Sequence, residues 1–158
     1  FQQPTETIAT LLFAGGIIGI FFKPWVGHLI DRLGERFVLT AEAVVLVAIC
    51  LGYAFASDLF VPAVALGLTA ACYVIDQLLF AVGMARATWL KKIAVHPDDI
   101  TQTLTMGVSI DHVFSITIAL AGGILWQELG YKYVFLAGAL IALANLVSAR
   151  FVSTPERP

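Results

Sequence analysis

Residues 37–55 read FVLTAEAVVLVAICLGYAF, with Glu42 the single charged side chain in the run. At a helical rise of 1.5 Å per residue this segment reaches roughly 28 Å, close to the hydrocarbon thickness of a bilayer at about 30 Å. A run so long and so uniformly apolar predicts a membrane-spanning helix rather than a strand or a buried helix of a soluble core.

Four further segments fit the same template: residues 6–22, 60–84, 101–126 and 131–152. The first is glycine-rich, with Gly15 and Gly19 at the small-xxx-small spacing that lets helices approach closely in lipid. Pro62 falls in the first turn of the third span, where its missing N–H has no partner to lose. Pro97-Asp98-Asp99 is a helix start signal ahead of the fourth.

Composition agrees with this reading. Of the 158 residues, 59% are hydrophobic and 13% charged, against about 45–50% and 25% in soluble domains. Mean hydropathy is +0.91, and a chain this small cannot hide that much apolar surface in a core of its own. The net charge of −2 supplies no basic field for nucleic acid. Cys50 and Cys72 both lie inside apolar runs, at a spacing that suits neither a metal site nor a disulfide framework. The opening FQQPTET from Phe1 lacks the basic and apolar regions of a leader peptide, which leads us to expect a piece of a longer chain.

Basic residues give the direction of threading, because loops rich in Lys and Arg stay in the cytoplasm. Lys23, Arg32 and Arg36 follow the first span, Arg86, Lys91 and Lys92 follow the third, and Arg150 and Arg157 follow the fifth, all on one side. Lys132 alone falls on the other. The C-terminus and the loops after spans one and three are therefore expected in the cytoplasm of a multi-pass protein of the cell membrane.

An internal repeat joins the two ends of the chain. GHLIDRLGERFV from Gly27 and GILWQELGYKYV from Gly123 share G-x-L-x-x-x-L-G-x-[RK]-[FY]-V. The copies fall on opposite sides of the membrane, as in the inverted repeats of many secondary transporters. A three-helix unit would make spans three to five the second copy and leave the first lacking its opening helix.

The run from Gly27 through Asp31, Arg32, Gly34 and Arg36 to Leu39 resembles the G-x-L-a-D-R-x-G-r-k-x-x-l loop signature of the major facilitator superfamily, with Glu35 in place of the first of two basic residues. Gly122-Gly123-Ile124-Leu125-Trp126 with Gly130-Tyr131 and Val134-Phe135 looks like the last helix pair of such transporters. The resemblance implies an all-α polytopic bundle, helices eight to twelve of a transporter whose N-terminal half lies outside this chain. It also implies that Gly27, Asp31, Arg32, Gly34 and Arg36 form a conformational latch, with helices ten and eleven bordering the central cavity and nine and twelve peripheral. Independently of the family, Gly27 and Gly34 suit close approach and a positive-φ turn, and Asp31 suits pairing with a cation, for which Arg86 is the candidate. The bland alternative is that these charges are solvated topology signals.

Ionisable side chains at mid-membrane are costly, by at least about 2.5–3.5 kcal/mol on insertion scales, and so tend to face a cavity or a partner. Span three carries Asp76 and Gln77 and span four carries Asp111 and His112. Asp76 lies roughly 12 Å from Met84 and Asp111 roughly 15 Å from Thr101, which puts both near the midplane. Tyr73 shares a face with Asp76, and Ser115 with His112. Asp76, Asp111 and His112, with Gln77, Tyr73 and Ser115 beside them, are the candidates for substrate and proton coupling, since a low-dielectric surrounding favours the protonated form of a carboxylate and His can relay a proton. The alternative is interhelical hydrogen-bonding glue. Spans two and five are more apolar and are expected to face lipid. Glu42 is expected to snorkel or to pair with Arg36, and the stretch from Arg86 to Ile100 to lie at the interface with Trp89 at headgroup depth.

Together these features predict a secondary active transporter of a small solute, proton-coupled and working by alternating access. No ATP-binding motif, metal set or cofactor fingerprint is present in the sequence. Expected partners are the solute, protons and the lipid bilayer. A non-transporting membrane receptor or an intramembrane enzyme is the rival reading; an enzyme would need a nucleophile with its base, or a full ligand set, at one depth.

Overall fold

The computed structural model describes residues 4–152. The elements of the described chain are six α-helices and one short 3-10 turn, joined by brief connections: α1 (Thr5–Leu33), α2 (Glu35–Leu59), α3 (Pro62–Leu79), the 3-10 turn (Phe80–Val82), α4 (Gly83–Ile93), α5 (Pro97–Leu129) and α6 (Tyr131–Arg150). Five helical units are long and apolar enough to cross a membrane: α1, α2, the α3–α4 unit, α5 and α6. The chain is thus a polytopic helical bundle.

The helix ends follow from local chemistry. Pro62 and Pro97 occupy first-turn positions of α3 and α5, with Asp98 and Asp99 in the first turn of α5 where carboxylates complement the helix dipole. Arg32, Lys91, Lys92 and Arg150 occupy last turns, the matching placement for cations. Several helices run beyond the apolar windows. α1 continues through Pro24 to Leu33, and its 29 residues carry the charged end clear of the lipid depth that the apolar part fills. The segment after Met84 is helical to Ile93 rather than a loop, since Ala85, Arg86 and Ala87 are good helix formers and no proline intervenes before Pro97.

The most extensive helix pair is α2 with α6, followed by α1 with α3 and α2 with α3. Small residues make this possible. Ala43, Ala54 and Ala56 of α2 and Ala139, Ala142 and Ala149 of α6 are buried. A Cβ added to Gly138 would lie 3.3 Å from Cys50 Sγ, and one added to Gly52 only 3.0 Å from Cys72 Sγ, so α2 is gripped closely on both sides. Tyr53 stacks on Phe135 with ring centroids 4.7 Å apart, and Lys132 pairs with Asp58. The matched positions show α2 and α6 running antiparallel. The expectation that spans two and five mainly face lipid is corrected accordingly: their apolar surface includes a packed interface of small side chains.

The largest buried cluster sits at the end of the bundle where α1 meets α2. Val26, Ile30, Val38 and Leu39 pack there with Ala81, Val82, Ala85 and Ala149. α5 is the opposite extreme, with no buried residue, and it rests chiefly on α6.

Candidate functional site: the charged end of the bundle and its cavity

The two repeated sequence segments adopt the same local structure. Gly34 separates α1 from α2 with φ 82° and ψ 162°, and Gly130 separates α5 from α6 with φ 94° and ψ 166°. They are the only positive-φ glycines among the described residues. Each closes the preceding helix through its own N–H, Gly34 to the Ile30 carbonyl and Gly130 to that of Trp126. This region of backbone space is nearly closed to residues with a Cβ, which accounts for glycine at both turns. Gly27 differs: it lies within α1 and a Cβ there would meet nothing within 4 Å, so it does not mark a close approach.

Around the Gly34 turn, Asp31, Arg32, Glu35, Arg36, Lys92 and Arg150 line a groove of about 700 Å³. Glu35 is fully buried and is ion-paired with Lys92. Arg86 is not the partner of Asp31. It is held by Glu42, with Nη2 donating to both carboxylate oxygens at 2.7 Å. Glu42 in turn does not pair with Arg36. The reason is geometric, because Glu35 and Glu42 stand seven residues apart on one face of α2 and both meet α4, whose Lys92 and Arg86 take them. That spacing was the available signal for both partnerships. Lys132, with its ammonium 4.5 Å from the centre of the Phe55 ring, sits at the opposite end of α2.

Below the Glu42–Arg86 pair lies a second cavity of about 510 Å³, to which Asp111, Asn145, Ser148 and Trp89 also contribute. It joins α2, α4, α5 and α6. Of the sequence candidates only Asp111 and Arg86 reach it. Asn145 and Ser148 lack a charge or a motif and are not candidates by sequence, and Trp89, expected at headgroup depth, lines this cavity instead.

The remaining candidates are distributed elsewhere. Tyr73 lines a separate cavity of about 500 Å³ with Tyr53, Thr69 and Thr7. Gln77 packs on α1, its Cβ 3.5 Å from where a Cβ on Gly15 would stand. Asp76 is half-buried on α3 and is absent from the lining of the Asp111 cavity. His112 and Ser115 are exposed on α5. The His112 Nδ1 lies 2.9 Å from the Val108 carbonyl. A carbonyl only accepts, so the neutral ring carries its proton on Nδ1 and leaves Nε2 as an outward acceptor. Thr105, Ser109 and Thr117 likewise donate to carbonyls four residues back, so these three hydroxyls are satisfied within their own helix. Among the described residues no three His, Cys, Asp or Glu side chains gather as a metal site.

Comparison with known proteins gives one informative likeness. Over 159 aligned positions, covering 98% of this chain, the sequence is 27% identical to Hexose transporter 1 of Toxoplasma gondii. The chain spans 27% of that protein's length. No protein-family model and no solved structure matches. The fold and this likeness together define a multi-pass helical membrane protein similar to a membrane transporter.

Proposed function

We propose that this chain belongs to the C-terminal half of a secondary active transporter of the major facilitator type, with helices corresponding to the eighth through twelfth of twelve. The transported solute is a small polyhydroxylated molecule of the hexose class, moved by alternating access and coupled to protons. The observation that carries this reading is the alignment with a hexose transporter along nearly the whole chain.

In this reading the end bearing Arg32, Arg36, Lys92 and Arg150 faces the cytoplasm, and the C-terminus lies on that side of the cell membrane. The Glu42–Arg86 and Glu35–Lys92 pairs join α2 to α4 and, with Asp31 and Gly34, latch one alternating-access state. Asp111, in a largely apolar cavity that Glu42, Arg86 and Asn145 also line, is the leading proton-coupling residue, with His112 its neighbour on α5; Asp76, Gln77, Tyr73 and Ser115 contribute to solute binding once the N-terminal half completes the central cavity. The reading assigns no catalysis to the chain.

Uptake of radiolabelled glucose into proteoliposomes bearing the full-length protein tests this proposal. An inward proton gradient should drive accumulation above the external concentration. Asp111→Asn should abolish that accumulation while leaving downhill entry. Uptake no greater than in protein-free liposomes would overturn the transport reading, and gradient-independent uptake by the wild type would remove the proton.

A further inference from the structure

We propose that the groove around the Gly34 turn binds the phosphate of an anionic phospholipid headgroup. Four separate helices deliver its cations: Arg32 from α1, Arg36 from α2, Lys92 from α4 and Arg150 from α6. Tertiary structure, not one charged run, brings them together, and gathering like charges is unfavourable without a counter-anion.

The groove's own carboxylates do not supply enough negative charge. Glu35 is buried beneath it and engaged with Lys92. Asp31 is then the one exposed carboxylate among three guanidinium groups. Among the described residues, Arg32, Arg36 and Arg150 join none of the ion pairs, and all three are exposed. Guanidinium groups suit phosphate oxygens because their planar forks donate paired hydrogen bonds. The ammonium of Lys92, fixed by Glu35, keeps further N–H donors for the same oxygens.

The surroundings favour a lipid over a soluble phosphate. The groove lies at the ends of membrane-crossing helices, where headgroups sit. Leu33 and Phe37 line it while remaining 51% and 52% exposed, an apolar rim that fits the glycerol and upper acyl region of a lipid. A free phosphate has no use for that rim. The inference rests on membrane placement of the helices and is independent of which solute the protein moves.

The test measures binding of dioctanoyl phosphatidylglycerol, dioctanoyl phosphatidylcholine and glycerol phosphate to the full-length protein in uncharged detergent. Phosphatidylglycerol should bind saturably and lose affinity as salt rises. Arg36→Gln with Arg150→Gln should weaken it about tenfold or more. Arg36→Lys with Arg150→Lys, which keeps the charge but loses the paired donors, should bind more tightly than the Gln pair and less tightly than the wild type, and Lys132→Gln at the other end of the bundle should bind as the wild type does. Equal affinity for phosphatidylcholine, or unchanged phosphatidylglycerol binding in the double Gln variant, would overturn the site. Glycerol phosphate binding as tightly as the lipid would overturn the lipid assignment.

Discussion

Arg86 and Glu42, forty-four residues apart in sequence, meet through a single guanidinium nitrogen that donates to both carboxylate oxygens at 2.7 Å. The carboxylate is nearly enclosed, its side chain 6% exposed, whereas that of Arg86 is 53% exposed. The pair fastens α4 to α2 and closes one side of the cavity that Asp111 lines. An enclosed carboxylate at this depth depends on its cation far more than the half-exposed cation depends on it.

That asymmetry has a measurable consequence. Arg86→Met should destabilise the protein by about 1–3 kcal/mol, the cost of a buried polar group losing its partner. The value falls below that of a fully buried pair because water reaches one side of Arg86. The double variant Arg86→Met with Glu42→Met should recover most of the loss. Thermal unfolding in detergent reads both; additive losses would contradict the coupling.

The two glycine turns should be intolerant of a side chain for backbone reasons alone. Gly130→Ala places its Cβ in open space, yet should cost about 1–3 kcal/mol because φ is 94°. Gly34→Ala should behave alike. Gly27→Ala, inside α1, should be neutral or stabilising by up to about 1 kcal/mol through helix propensity. Equal melting shifts for the variants at 27 and 130 would refute this account of the turns.

The α2–α3 contact offers a test of packing. A Cβ at Gly52 would approach Cys72 Sγ to 3.0 Å, so Gly52→Ala should destabilise by about 1–3 kcal/mol through overpacking. Removing the sulfur in Gly52→Ala with Cys72→Ala should restore much of the melting temperature. No restoration would mean that the two helices are not in this register.

The membrane fold was legible because hydropathy acts locally: each apolar window near Val45, Ala70, Ile116 or Leu140 announces a span without reference to the others. The turns were legible as well, since Gly34 and Gly130 carry a backbone requirement in their identity. Partnerships were harder to read. The sequence leaves Glu42 to snorkel or to pair with Arg36, a neighbour in sequence, whereas its partner Arg86 comes from a helix whose charged composition suggests an interfacial loop. The close α2–α6 packing was hidden for a related reason: Ala43, Ala139, Ala142 and Gly138 are apolar whether they face lipid or another helix. Asn145 and Ser148 acquire significance only when α6 brings them to the cavity that holds Asp111.

The central claim, transport by alternating access, is tested most directly by counterflow. Proteoliposomes carrying the full-length protein are loaded with unlabelled glucose and diluted into a trace of labelled glucose without any ion gradient. The account predicts transient accumulation of label above the external concentration, with a slower rise in Arg86→Met, whose latch is weakened. Solute binding without any overshoot of internal label would contradict it and favour a receptor.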